Sequence, residues 1–174
     1  MQHQVRSRPV YQDVVNISCQ AKHHLFVAQD KMSDALSQLY AQCDSGERML
    51  ITVQAPQTPE DALSLTMVGT LPLSTAVYAS GDENFLWRVA TALTDGGMLA
   101  EQVHLLPPTA KTRKVYCCHC SAFTSGVLHS PATCSGCGRL LAVSDHFSRR
   151  FGAYRGYQVN AEDPNDIPEP EELN

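Results

Sequence analysis

The run Thr75-Ala76-Val77-Tyr78-Ala79 is short, apolar and closed by Ser80-Gly81, which predicts a buried strand. From about Glu83 to Thr94 the apolar positions Phe85, Leu86, Val89, Ala90 and Leu93 fall on one helical face. Gly96-Gly97 ends that helix, and Val103-His104-Leu105-Leu106 supplies another strand before Pro107-Pro108. The same alternation extends upstream. His24-Leu25-Phe26-Val27-Ala28 reads as a first buried strand. Ser33 then caps a helix carrying Leu36, Leu39 and Tyr40. Met49-Leu50-Ile51-Thr52-Val53 reads as a second strand, and Thr58-Pro59 opens a second helix. Strands alternating with helices imply right-handed crossovers, hence an α/β fold with a doubly wound, mostly parallel sheet.

This reading divides the 174 residues into four parts. Residues 1–22 form a polar leader with room for a first strand, 23–108 the α/β domain, 109–157 a cysteine-bearing module, and 158–174 an acidic tail. The tail, rich in proline and carboxylates, buries too little to fold alone and reads as disordered or as a docking segment. No run approaches the roughly 18 apolar residues of a membrane-spanning helix. Nor does the N-terminus carry the apolar core of a secretory signal, so a cytoplasmic protein is expected. A net charge of −5 weighs against nucleic acid as a partner, because phosphate binding needs surplus Lys and Arg.

Five of the seven cysteines lie between positions 117 and 137. Cys117-x2-Cys120 and Cys134-x2-Cys137-Gly138 are two knuckles whose paired thiolates can point at one ion. Gly136 and Gly138 supply the permissive backbone. A single structural Zn²⁺ on Cys117, Cys120, Cys134 and Cys137 is expected, in a zinc ribbon with Val127-Leu128 and Leu140-Leu141-Ala142-Val143 as hairpin strands. Iron stays open: a rubredoxin-like site or a [2Fe-2S] cluster also takes four cysteines. Cys118 replaces Cys117 only at a one-residue gap, which is poor geometry. His119 and His129 read as bystanders or second-layer donors, and Cys19 and Cys43 as small buried hydrophobes.

Candidate catalytic groups are few. Asp145 and His146 are neighbours on a strand and point to opposite faces. His23-His24 reads as surface at a strand start, and Ser80-Gly81-Asp82 has no partner pattern for a nucleophile. Arg149, Arg150 and Arg155, interleaved with Phe147, Phe151, Tyr154 and Tyr157, read as a docking stripe, with Arg149, Arg150, Phe151, Tyr154 and Arg155 as the contacting residues.

Residues 75–106, with HLFVAQDKMSDALSQLYAQ upstream, resemble the nicotinamide-binding module of ferredoxin reductases over roughly residues 23–106. That family has a Gly-rich phosphate loop where Gln29-Asp30-Lys31-Met32-Ser33 stands here, and a Cys-Gly-Pro turn where Ala79-Ser80-Gly81 stands. The comparison implies a retained fold with a lost cofactor site. The run Cys134-Ser135-Gly136-Cys137-Gly138-Arg139-Leu140, then Asp145-His146-Phe147-Ser148-Arg149-Arg150-Phe151-Gly152-Ala153-Tyr154, resembles the DmmA-type small subunit of bacterial dimethylamine monooxygenases. That resemblance implies a non-catalytic subunit of an NADPH- and O2-dependent enzyme converting dimethylamine to methylamine and formaldehyde. Its partners would be a haem-bearing subunit and a reductase subunit carrying FMN and [2Fe-2S]. The competing expectations are a zinc-ribbon adaptor for nucleic acid or regulation, and an iron–cysteine electron carrier.

Overall fold

The structure, a computed structural model, describes residues 7–163 and 165–173. The chain divides into two units. One is residues 11–110. The other combines the segment up to Val10 with the residues from Lys111 onward.

The first unit contains β1 (His23–Gln29), α1 (Asp34–Ala41), β2 (Arg48–Val53), α2 (Pro59–Ala62), α3 (Leu65–Gly69), β3 (Thr75–Ser80), α4 (Glu83–Asp95) and β4 (Val103–Leu105). Its four strands are all parallel, in the order β2-β1-β3-β4. β1 and β3 lie in the middle and are buried on both faces, which is why both read as continuous apolar runs. Alternation sends Leu25, Val27, Val77 and Ala79 to the face packed by α4 through Leu86, Val89 and Leu93. Phe26, Ala28, Ala76 and Tyr78 go to the opposite face and meet Leu36 and Leu39 of α1. Each fully buried Leu or Phe contributes roughly 1.5–3 kcal/mol, so the helices are held by these faces rather than by propensity.

The expected helix starts are realised as caps. The Ser33 hydroxyl accepts the Leu36 N–H, Thr58 and Asp61 form a reciprocal capping box, and the Asp82 carboxylate accepts the Phe85 N–H at 2.8 Å. The expected strand within residues 1–22 is absent from the described part of that stretch, which is irregular up to His23; residues 1–6 lie outside the described residues.

The second unit contains β5 (Arg113–Cys117), β6 (Phe123–Val127), β7 (His129–Ser130), β8 (Ala132–Thr133), β9 (Leu140–Ser148), β10 (Ala153–Gln158) and β11 (Glu171–Glu172). Five strands form one sheet, β6-β5-β10-β9-β8, in which β5 and β10 are parallel and the other pairs antiparallel. The two runs expected to pair as a hairpin are therefore not partners. Val127 ends β6 and Leu140–Val143 begins β9, with β5 and β10 between them. The middle strands are amphipathic, Val115 and Cys117 facing inward while Lys114 and Tyr116 face out.

The acidic tail departs from the expectation of disorder. Glu171 and Glu172 pair antiparallel with Ser130 and His129, and the Leu173 N–H donates to the Leu128 carbonyl at 2.8 Å. Leu173 is then buried beside Val115, Val127, Leu141 and the cysteines 117 and 134. Near the other end, the Ser7 hydroxyl accepts the Phe147 N–H at 2.9 Å, adding a lateral support to β9.

Candidate metal centre

The two knuckles are built alike. In the first, the Cys117 N–H donates to the Ala122 carbonyl and the Ser121 N–H to the Cys117 carbonyl, both at 2.9 Å. In the second, the Cys134 N–H donates to the Arg139 carbonyl at 2.8 Å and the Gly138 N–H to the Cys134 carbonyl at 3.0 Å. Each loop turns back through a left-handed residue directly after its second cysteine, Ser121 and Gly138. Gly136 is required for a separate reason: a Cβ there would stand 2.6 Å from the Ala122 Cβ and 3.2 Å from the Cys120 Sγ. Its N–H points at the Cys134 sulfur at 3.4 Å.

These loops bring the Sγ atoms of Cys117, Cys120, Cys134 and Cys137 within 4.8 Å of one another. A tetrahedron with zinc–sulfur bonds of about 2.3 Å has sulfurs about 3.8 Å apart. Cys117 and Cys137 stand at 3.9 Å, and Cys120 and Cys134 at 3.6 Å. The four residues expected as ligands thus form one site that can hold a metal ion, and the donor set fits. Cys117 and Cys134 are buried, and Cys120 lies at the surface. With four sulfurs the shell is complete and leaves no position for a substrate or an activated water.

The protein environment already favours thiolate at part of the site. The Cys137 N–H, and after it the Gly136 N–H, hold Cys134 down to about 6. Cys137 is lowered first by the Arg139 N–H. At Cys120 the Ala122 N–H acts downward, but desolvation and the three neighbouring sulfurs outweigh it and push the thiol up to about 12. A dication would remove this conflict by stabilising all four thiolates together.

Around the site, Arg139 links His119 and Gln158, donating to the His119 Nδ1 at 2.7 Å and to the Gln158 Oε1 at 2.8 Å. Arginine only donates, so Nδ1 accepts and the neutral ring carries its proton on Nε2. His119 thus lies outside the four-sulfur cluster, with Arg139 as its partner. His129 is an exposed residue of β7, and Cys118 is exposed outside the cluster. Of the remaining cysteines Cys43 is buried as expected, while Cys19 is exposed because it lies in an irregular segment outside the packed faces.

The docking stripe is only partly at the surface. Tyr154 is buried beneath the Arg113 guanidinium, which lies 4.3 Å from its ring centre, and packs edge-on against buried Phe147. The register with β5 sets Tyr154 opposite buried Val115 and Arg155 opposite the outward-facing Tyr116, so ordinary alternation turns Tyr154 inward. Arg149, Arg150, Phe151 and Arg155 remain exposed. Asp145 serves Arg113, with the two charges 3.7 Å apart, and His146 is exposed. His24, expected at the surface, is buried on β1, and its Nδ1 lacks a hydrogen-bond partner among the described residues.

In the parallel unit the chain order reverses between β1 and β3, and the crevice beyond their C-terminal ends is where open α/β sheets bind ligands. Here the Gln29 side chain spans it. Its amide donates to the Asp82 carboxylate at 3.0 Å and its carbonyl oxygen accepts the Asp82 N–H at 2.7 Å. The glutamine packs so closely on Gly81 that a Cβ there would sit 2.9 Å from its own Cβ. Among the described residues no helix is long and apolar enough to cross a membrane.

Residues 114–157 match the family described as dimethylamine monooxygenase subunit DmmA-like, C-terminal domain. The chain is also similar to the heme-dependent oxidative N-demethylase delta subunit of Ectopseudomonas mendocina (strain ymp), with 31% identity over 148 residues, 83% of each chain. No solved structure matches it. The matched C-terminal segment includes all four clustered cysteines, and the longer similarity covers most of the chain, so this protein belongs to the DmmA-type family of delta subunits of heme-dependent oxidative N-demethylases.

Proposed function

We propose that this chain is the zinc-bearing, non-catalytic assembly subunit of a cytoplasmic, NADPH- and O2-dependent amine-oxidising complex. Dimethylamine is the substrate. With NADPH, O2 and a proton it yields methylamine, formaldehyde, water and NADP⁺. In this reading the haem sits on one partner subunit and FMN with [2Fe-2S] on a reductase partner. The carrying observation is the closed four-sulfur shell, which suits a structural ion and offers no reacting position. The Gln29–Asp82 bridge supports the same reading, since it fills the crevice a dinucleotide would enter. The parallel unit is then a doubly wound nicotinamide module kept for its shape, and the cysteine unit a variant zinc ribbon.

The test is to tag the chain at its N-terminus in its host, purify it gently, and record partners, metal content and visible spectrum together. Co-purification of haem and flavin, with NADPH consumption on adding dimethylamine and one zinc per chain, is the expected result. A solitary colourless zinc protein sinks the complex. A chain that is itself coloured by iron–thiolate absorption sinks the zinc assignment, because Zn²⁺ has a filled d shell.

A further inference from the structure

The metal unit's sheet has a second face, opposite the sulfurs. On β5, Val115 and Cys117 are buried, whereas Lys114 and Tyr116 lie on the other side. The register sets Tyr116 beside Phe123 of β6 and beside Arg155 of β10, so these three share the outer face. Phe151, in the turn between β9 and β10, completes a three-ring platform. It stacks on Tyr116 at 5.6 Å and meets Phe123 edge-on at 5.8 Å, while Tyr116 and Phe123 are 5.4 Å apart. The Lys114 Nζ lies 4.5 Å from the Phe123 ring centre.

Phe123 and Phe151 remain 39% and 45% exposed, too open for rings whose work is to fill a core. Charge is distributed in the same direction. Seven lysines and arginines lie between residues 111 and 157 against one carboxylate, Asp145, which already faces Arg113. Among the described residues neither Arg150 nor Arg155 is ion-paired. A chain of net charge −5 has therefore gathered bases around its exposed aromatics, and aromatic and Arg side chains are the residues that anchor protein interfaces.

We infer that the platform of Tyr116, Phe123 and Phe151, rimmed by Lys114, Arg150 and Arg155, docks a carboxylate-rimmed apolar patch on the haem-bearing partner subunit. This rests on the subunit reading above. The rings fill the apolar centre of the contact, and the bases fix its register and speed its formation.

The test compares the N-terminally tagged full chain with two variants, Arg150→Glu and Phe151→Ser/Arg155→Glu, each expressed in the host. Wild type should bring down haem, and less of it as salt is raised. Both variants should keep one metal per chain, and the double variant should capture at least tenfold less haem per mole of bait. Undiminished haem with the double variant overturns the docking face and leaves the subunit reading standing. Absence of haem with wild type overturns both. If the double variant loses its metal, Arg150→Glu decides, with less than a twofold loss of haem counting against the proposal. A salt-sensitive shift of single-stranded RNA that the charge reversal abolishes would make the face a nucleic-acid surface and also overturn it.

Discussion

Ser121 and Gly138 hold the same left-handed backbone conformation, at φ 62° and 71°, each directly after the second cysteine of its knuckle. Left-handed backbone costs a residue with a Cβ about 1–2 kcal/mol, and serine bears that cost here while receiving the Tyr116 hydroxyl at 3.0 Å. Ser121→Gly is expected to stabilise the metal unit by about 1 kcal/mol, less whatever the lost hydroxyl contact supplied. Ser121→Val should destabilise it, because a β-branched residue tolerates this conformation poorly. Resistance to metal extraction by a chelator, measured at fixed pH, ranks the three proteins.

Cys134→Ser removes a buried ligand whose thiolate the Cys137 and Gly136 amides already favour. Metal content should fall from one per chain to near zero. Since structural zinc contributes on the order of 10–16 kcal/mol in small metal folds, the unit holding it should lose its cooperative transition. The parallel unit has its own two apolar clusters and should melt as before. Metal analysis beside a calorimetric scan resolves the two transitions.

Leu173→Ala takes apolar surface from the cluster that backs Cys117 and Cys134. A loss of about 2 kcal/mol is expected, at the low end for a buried leucine, because the residue sits at the cluster edge and keeps 9% of its surface exposed. Removing residues 171–173 should cost more, since the pairing with β7 goes too. Urea unfolding followed by metal release would show both.

Burial holds the His24 imidazole below its ordinary value, and likewise His104, which stacks on Tyr78 at 5.1 Å. A group with a depressed histidine pKa binds its proton more readily in the unfolded chain. The stability it supports is complete above the unfolded value near 6.5 and is lost as pH falls from there through the folded value. The melting temperature of the parallel unit should therefore drop between pH 7 and pH 5. His104→Phe should flatten that slope, and an unchanged slope would remove the residue from the account.

Asp82→Ala deletes the cap of α4 and the partner of Gln29 in one step. A loss of about 1–2 kcal/mol is expected for the cap. Asp82→Asn, which can still accept the Phe85 N–H, should recover most of it in the same denaturant titration.

Much of this architecture is legible in the residue order because it is locally encoded. Ser33 and Thr58 announce two helix starts, and the two Cys-x2-Cys pairs announce a site whatever the strands do. What stayed hidden depends on distant partners. The parallel pairing of β5 with β10 joins runs some 40 residues apart, and nothing in either run names the other. Tyr154 reads as a surface anchor from its place among arginines and aromatics, yet the pairing of β10 with β5 sets it opposite buried Val115 and so turns it inward. Leu173 looked like one apolar residue in a solvated tail, and only the exposed edge of β7 gives it somewhere to go. His24 was read from its polarity, and its strand is buried on both faces.

The metal unit draws on residues from both sides of the parallel unit, since Ser7 braces β9 and Leu173 packs behind the cysteines. Translation therefore delivers its parts at widely separated moments. On the ribosome the parallel unit is complete once Ala110 has emerged and can fold while synthesis continues. All four cysteines then emerge before the leucine that shelters two of them. During that interval the thiols are open to oxidation and to competing metals, so loading is safest soon after the last strand is released. A nascent chain stalled before Leu173 should carry a site that exchanges its metal quickly.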